Sequence, residues 1–311
     1  MTEEIDAGDE AALDAAADYT ALRREVGAVW LARDFVKVHG PETFSWLQGQ
    51  LSQDLSGLEV GNAVESFLLQ PQGKVDAMVR VTRTGDEEAV IDVDAGFGAA
   101  VAERLNRFKL RVKAEVEPLD WRCLALRGPR SHDLEPVTGL VVDADWPGLP
   151  GVDVIGVDPG VPDGVRLCGE EAWQAVRVEA GVPVMGAELT ERTIPAEAGV
   201  VERTISFTKG CFTGQELVAR IDSRGGNVPR RLRGVVLAPA GLPPGLLPPV
   251  GATIVVGDKE MGSLTSVAES LDLGAPVALA YVRREVVPPV DAEVRWEGGQ
   301  APARIESLPL V

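Results

Sequence analysis

From Leu232 to the C-terminus the chain is a series of short apolar runs set between Gly and Pro residues. The runs are Val235–Leu237, Thr253–Val256, Ser263–Val267, Val277–Tyr281 and Ala292–Trp296. Runs this short, with turn residues between them, bury their side chains as strands of a small closed or stacked sheet. A separate all-β domain, barrel or sandwich, is therefore expected at the C-terminal end. The 311 residues are too many for one small core, which implies two or three domains. Upstream of residue 232, strand and helix patterns alternate, and the fold class is α+β.

Residues 1–18 carry Glu3, Glu4, Asp6, Asp9, Glu10, Asp14 and Asp18 and no basic residue. They read as a flexible acidic tail or as a solvated, alanine-rich helix. A strand near Val26–Leu31 opens the folded part. Pro41 suits a first helical turn, and Phe44, Leu47 and Leu51 share one face of the helix that follows. Phe67–Leu69 and Val75–Val81 read as strands around a Pro71-Gln72-Gly73 turn. Ala89–Val93 is a further strand, and Gly98–Phe108 is a helix with Val101, Leu105 and Phe108 facing inward. Lys109, Arg111 and Lys113 alternate with Leu110, Val112 and Ala114, which predicts a strand with one basic face. Trp121–Leu126 is a strand with Cys123 packed inside it. Residues 132–165 are rich in Pro and Gly, and Asp143 and Asp145 read there as loop polars. Glu171–Glu179 is a helix closed by Gly181 and Pro183.

The charge balance, 48 acidic against 30 basic residues, gives a formal charge of −18. That speaks against non-specific nucleic-acid binding and against docking on anionic lipid. No apolar run approaches the roughly 18–20 residues that cross a bilayer. The N-terminus lacks the basic and apolar regions of a signal peptide. Three widely spaced cysteines, Cys123, Cys168 and Cys211, do not make a disulfide framework, and a reducing cytoplasm is expected. There is no dinucleotide fingerprint, no phosphate loop and no nucleophile elbow. Two histidines and no cysteine at ligand spacing exclude a structural zinc site and an iron–sulfur cluster held by this chain alone.

One stretch carries chemistry: Lys209-Gly210-Cys211-Phe212-Thr213-Gly214-Gln215-Glu216. Glycines on both sides of a cysteine let the backbone turn sharply and approach a ligand. A nearby cation, Lys209, favours thiolate over thiol. The opposing reading is a small hydrophobe packed in the core. Arg203, Lys209, Arg220, Arg224, Arg230, Arg231 and Arg233 gather around this stretch in an otherwise acidic chain. They form a pocket for a carboxylate-bearing ligand, or a solvated stretch with internal salt bridges.

The longer string from Ser206 to Arg220 resembles the signature of the YgfZ-type folate-binding proteins, relatives of the glycine-cleavage T-protein (aminomethyltransferase). Three further pieces agree in order. Gly40 to Asp54, with Leu47-Gln48-Gly49-Gln50, is similar to the family's first helix. Leu68–Val75 is similar to its Leu-x-Pro-x-Gly-Lys turn. Arg177-Val178-Glu179-Ala180-Gly181-Val182-Pro183 through Pro195-Ala196-Glu197 is similar to the stretch that leads to the cysteine loop. The match runs from about residue 26 to the end of the chain.

The resemblance implies a T-protein-like ring of three domains. An acidic tail (1–18) precedes a discontinuous first α+β domain (19–55 and 117–228). An interleaved second α+β domain covers 56–116, and a C-terminal β-barrel covers 229–311. It implies a folate pocket near a central channel, holding tetrahydrofolate or a one-carbon derivative. It also implies an accessory role in assembling or repairing iron–sulfur clusters, with client enzymes or assembly factors as partners. Cys211 is then the key nucleophile or redox thiol, and Lys209 lowers its pKa. Gly210 and Gly214 permit the loop, which Phe212 and Thr213 complete, and Gln215 and Glu216 orient the thiol or bond to the loop backbone. Glu179 takes the place of a pterin-contacting carboxylate. Gln50, Arg220 and Arg224 line the pocket, whereas Trp46 and Trp173 belong to the core.

One departure bears on the alternative function, folate-dependent aminomethyl or one-carbon transfer. T-proteins carry an acidic residue in the strand after the Gly turn, and Ala77 stands there in this chain. Asp76 is one residue away, and a one-residue slip points to the opposite face of a strand. A bulge would undo that objection.

Overall fold

A computed structural model describes residues 7–134, 138–239, 243 and 245–311, with side chains from Asp14 onward. Helix α1 (Ala7–Arg24) leads into β1 (Gly27–Leu31), β2 (Arg33–His39), α2 (Thr43–Gln50), β3 (Ala63–Leu69), β4 (Val75–Arg83), β5 (Glu88–Asp94), α3 (Gly98–Arg107) and β6 (Glu115–Leu119). The chain continues through β7 (Arg122–Arg127), β8 (Leu140–Asp143), β9 (Gly151–Gly156), β10 (Arg166–Leu167), α4 (Glu170–Ala180), α5 (Pro195–Ala198), α6 (Val201–Thr204) and α7 (Gln215–Ser223). Six strands follow: β11 (Arg230–Leu237), β12 (Thr253–Val256), β13 (Lys259–Ser270), β14 (Ala275–Arg283), β15 (Val290–Trp296) and β16 (Gly299–Glu306).

These strands make three sheets. The first has the order β10-β1-β7-β9-β8, the second β3-β4-β5-β2-β6, and the third closes as a barrel, β11-β14-β13-β12-β15-β16. The C-terminal all-β expectation resolves as the barrel, and the whole is α+β. Closure removes the sheet edges that short strands would otherwise expose. Val235, Ile254, Leu264, Leu279, Val294 and Ile305 are among its buried side chains.

The two α+β domains interleave, but their boundary differs from the expected one. Strands β1 and β2 are separated only by Ala32, yet β1 pairs with β7 in the first sheet and β2 pairs with β5 and β6 in the second. The second domain therefore takes β2 and α2 as well as residues 56–116. The cause is apolar packing: Val36 and Val38 of β2 bury with Leu47, Leu51, Phe67, Val79 and Ile91. The same core includes Met185, Ile205, Phe212 and Val218, so the cysteine stretch packs on the second sheet.

Three local expectations change. The acidic N-terminal segment is helical from Ala7, with Tyr19 and Leu22 buried against α4, and Asp14 and Asp18 pair with Arg166 at 2.8 and 2.5 Å. Glu3, Glu4 and Asp6 lie outside the described residues. Residues 109–114 are not a strand. Arg111 sits in the left-handed region at φ 58°, which breaks the alternation, and Leu110 stands 83 % exposed at a loop tip. Phe108 faces outward beneath the Arg104 guanidinium, 3.8 Å from the ring centroid. Helix α4 ends as expected at Gly181, whose φ of 73° suits a left-handed C-cap. Among the described residues no helix is long and apolar enough to cross a membrane.

Candidate functional site

The cysteine loop is pinned on both sides of its thiol. Phe212 is buried in the second domain's core. Lys209 is buried as well, and its Nζ donates to the carbonyls of Leu51 (2.8 Å) and Gln53 (2.7 Å). Ser206 N donates to Ser52 O at 3.0 Å. Between these anchors Cys211 is exposed. The other two thiols are unlike it: burial pushes Cys168 up to about 12 and Cys123 higher still, which keeps both protonated and inert.

Lys209 has a different job from the expected one. Burial lowers its pKa to about 8 against the weak opposing pull of Asp54, and its donors are committed to two carbonyls. It fastens the loop to the segment after α2 instead of polarising the thiol. Gln215 and Glu216 open α7, and neither makes a side-chain hydrogen bond among the described residues. They do not orient the thiol; Glu216 favours the helix through its N-terminal dipole.

The two glycines also differ. Gly214 has φ 83°, and a Cβ there would lie 2.7 Å from the carbonyl oxygen of Gln70. Gly73, at φ 68° in the β3–β4 turn, touches Leu217 and the Gly214 carbonyl in return. The loop and the turn thus fit only because both lack side chains. Gly210 has no left-handed φ, and a Cβ there would meet nothing within 4 Å. Gly214→Ala is accordingly expected to lose at least about 1–2 kcal/mol from the left-handed backbone alone. Gly210→Ala should stay within about 0.5 kcal/mol of wild type. Urea midpoints of the two variants check this, and equal midpoints would remove the argument.

A cavity of about 560 Å³ lies between the two α+β sheets and α4. Trp30, Trp146 and Trp173 supply aromatic faces to it. Its wall holds a buried ionic chain. Arg33 pairs with Asp92, and with Asp94 at 2.9 Å. Arg80 reaches Asp92 at 2.9 Å and Asp153 at 2.6 Å, and Arg127 reaches Asp153 at 2.8 Å. Burial works to raise the pKa of Asp153, but Arg127 and Arg80 outweigh it and hold the carboxyl down to about 2. The Arg127 guanidinium lies 4.7 Å from the Trp146 ring and 5.3 Å from the Trp173 ring, and its buried Nε has no hydrogen-bond partner among the described residues. Arg203 and Glu65, paired at 2.9 Å, are partly exposed parts of the same wall. Arg203 O also accepts from Gln53 Nε2 at 3.0 Å, and the Gln53 carbonyl holds Lys209. Gln53 thus ties the cavity wall to the cysteine loop.

Comparison with known proteins agrees with this architecture. Residues 230–311 match the glycine cleavage T-protein C-terminal barrel domain. The chain is 29 % identical to an aminomethyltransferase of Thermus thermophilus, over 94 % of this chain and 89 % of the relative. It is 27 % identical to an uncharacterized protein of Haemophilus influenzae, over 62 % of this chain and 67 % of the relative. A crystal structure of the glycine cleavage system aminomethyltransferase T from Bartonella henselae superposes with a TM-score of 0.78. That match has 20 % identity and covers 96 % of this chain and 89 % of that one. The protein is T-protein-like in fold.

Within this T-protein-like frame, several expected pocket residues lie elsewhere. Glu179 does not reach the cavity. Its carboxylate is fully buried and accepts from Tyr19 Oη (2.7 Å), Arg23 Nε (2.9 Å) and Ser270 Oγ (2.5 Å), which joins α1 and α4 to the barrel. Arg220 and Arg224 are exposed on and just after α7, away from the cavity. Gln50 accepts from Arg104 at 3.4 Å and does not line the cavity either. Trp46 is buried as expected, but Trp173, expected in the core, faces the cavity. Sequence reasoning missed Trp30, Trp146, Arg33, Arg80, Arg127 and Asp153. The signal in the sequence was Arg80 and Arg127 inside otherwise apolar strands, because a charge buried in such a strand must have partners nearby.

The acid question is resolved by a bulge. Leu68 pairs with Ala77 and Leu69 with Val75, which leaves Asp76 as the extra residue of β4. Ala77 is buried in the core, while Asp76 is partly exposed and accepts from Arg104 Nε at 3.2 Å. Arg104 also donates to Leu69 O at 3.4 Å. Asp76, Phe97, Arg104 and Arg107 line a second cleft of about 240 Å³ beneath α3.

Proposed function

We propose that this protein binds tetrahydrofolate or a one-carbon derivative in the central cavity. We further propose that it serves in the cytoplasm as an accessory factor for assembly or repair of iron–sulfur clusters in other enzymes. The observation that carries the reading is the exposed thiol of Cys211, held out between the buried anchors Lys209 and Phe212. A sulfur in that position is built to meet another molecule, not to fill space.

The cavity suits the ligand. Its volume of about 560 Å³ falls within the ~300–1,000 Å³ usual for small-molecule sites. Three indole faces can stack a flat pteridine, and the wall arginines can meet carboxylates. With Glu179 sealed away, Asp94 and Glu170 are the wall carboxylates able to accept from a 2-amino pterin edge. The orphaned Arg127 Nε is a donor in the same wall. A bound reduced folate supplies a nitrogen able to carry a one-carbon unit. A second reading, one-carbon transfer as in the aminomethyltransferases, is favoured by the bulge that frees the Asp76 carboxylate.

Titration of the wild type and of Cys211→Ala with tetrahydrofolate, beside iron–sulfur enzyme activity in a deletion strain, separates binding from thiol chemistry. Cys211→Ala should keep its folate affinity within about threefold and fail to restore activity. Trp173→Ala should weaken folate binding about tenfold through the lost stacking face. Full restoration by Cys211→Ala would sink the accessory reading. Loss of restoration on Asp76→Asn, with Cys211→Ala active, would favour one-carbon transfer.

A further inference from the structure

We propose that the folate taken by this protein carries a chain of several glutamyl carboxylates. The chain would run from the central cavity along β4, past Arg104 and Arg107, to the cationic loop at residues 107–113. The proposal rests on the folate reading of the cavity and adds the substrate class.

The two voids lie in line along one strand. Met78 and Arg80 wall the central cavity, and Asp76 and Ala77 wall the cleft beneath α3. Alternate strand residues are about 6.6–6.8 Å apart, so the cleft begins one such step from the cavity. The opposite wall repeats the pattern, with Asp94 in the cavity and Phe97 in the cleft. Between them crosses the Met185–Gly186 segment, where Met78 N donates to Met185 Sδ at 3.4 Å. A flat head group in the cavity therefore has an outlet toward α3.

That outlet is cationic. Residues 104–113 contain Arg104, Arg107, Lys109, Arg111 and Lys113 and no acidic residue, in a chain of net charge −18. In the cleft itself Asp76 pairs with Arg104, and Glu103 with Arg107 at 2.6 Å. Beyond it Lys109 pairs with Glu115 at 2.9 Å. The Arg107 and Lys109 pairs have exposed carboxylates, and pairs of that kind are worth ~0–1 kcal/mol and exchange readily for a better anion. Arg111 and Lys113 are exposed and have no ion-pair partner among the described residues. The surplus charge thus sits where an extended tail would arrive. A polyanionic tail fits this line from cavity to loop better than a folded acidic partner, which would meet the loop but not the cleft.

The test compares monoglutamyl and pentaglutamyl tetrahydrofolate by calorimetric titration at low and high salt. The proteins are the wild type and the triple variant Arg107→Gln, Arg111→Gln, Lys113→Gln, all surface positions. The pentaglutamyl form should bind the wild type about tenfold more tightly, with the advantage shrinking as salt screens it. The triple variant should bind the monoglutamyl form as the wild type does and lose the advantage. Equal wild-type affinities for the two forms would overturn the proposal. So would a triple variant that keeps the full difference, which would assign the loop to an acidic protein partner. If neither form binds, the folate reading itself falls, an outcome separate from loss of the tail effect alone.

Discussion

Replacing Glu179 with alanine should lower folding stability by about 3–5 kcal/mol, the usual result of breaking a buried ion pair from one side. The carboxylate is wholly inaccessible, and Arg23, whose side chain is 5 % exposed, has Glu179 as its ion-pair partner at 2.7 Å. Deleting the carboxylate strands that guanidinium, the Tyr19 hydroxyl and the Ser270 hydroxyl together. The damage would fall on the junction of α1, α4 and β13, where Arg177, Glu188 and Ser266 form a second buried link. Urea unfolding of Glu179→Ala measures the loss. The same preparation, titrated with tetrahydrofolate below its unfolding midpoint, should retain most of its affinity. A variant as stable as wild type but unable to bind would return Glu179 to the pterin site and contradict the buried network.

How far the sequence revealed this molecule depended on how local each feature was. The barrel was legible because its strands carry their own turn residues, and each run buries against its sequence neighbours. The cysteine loop was legible because Gly214 and Gly73 are demanded by backbone geometry at single positions. Strand β2 was misassigned because its partner depends on what Val36 and Val38 meet far along the chain, not on its own pattern. Lys209 was misread for the same reason. Proximity to Cys211 in sequence suggested a charge effect, whereas the carbonyls of Leu51 and Gln53 claim the ammonium across more than 150 positions. The cavity was the least visible feature. It draws Trp30 from β1, Arg80 from β4, Arg127 from β7 and Trp173 from α4, and these residues lie far apart in sequence.

The ionic chain under that cavity sets the second large effect. Asp153 of β9 belongs to the first sheet and Arg80 of β4 to the second, so their 2.6 Å contact joins the two domains across the cavity wall. Asp153→Asn keeps the shape but leaves Arg80 and Arg127 with less charge than they need, and should cost about 3–5 kcal/mol at pH 7. The pH dependence has a definite sign. The Asp153 carboxyl titrates lower in the folded protein, at about 2 against an ordinary 3.8. Its stabilisation is therefore complete above about pH 4 and is lost as pH falls toward 2, on the order of 2 kcal/mol in all. Wild-type stability measured by denaturant titration from pH 5 to pH 2 should fall through this window, and Asp153→Asn should fall less steeply. Parallel profiles for the two proteins would show that Asp153 titrates normally, and that the arginines facing the cavity draw their compensation from Asp92 alone.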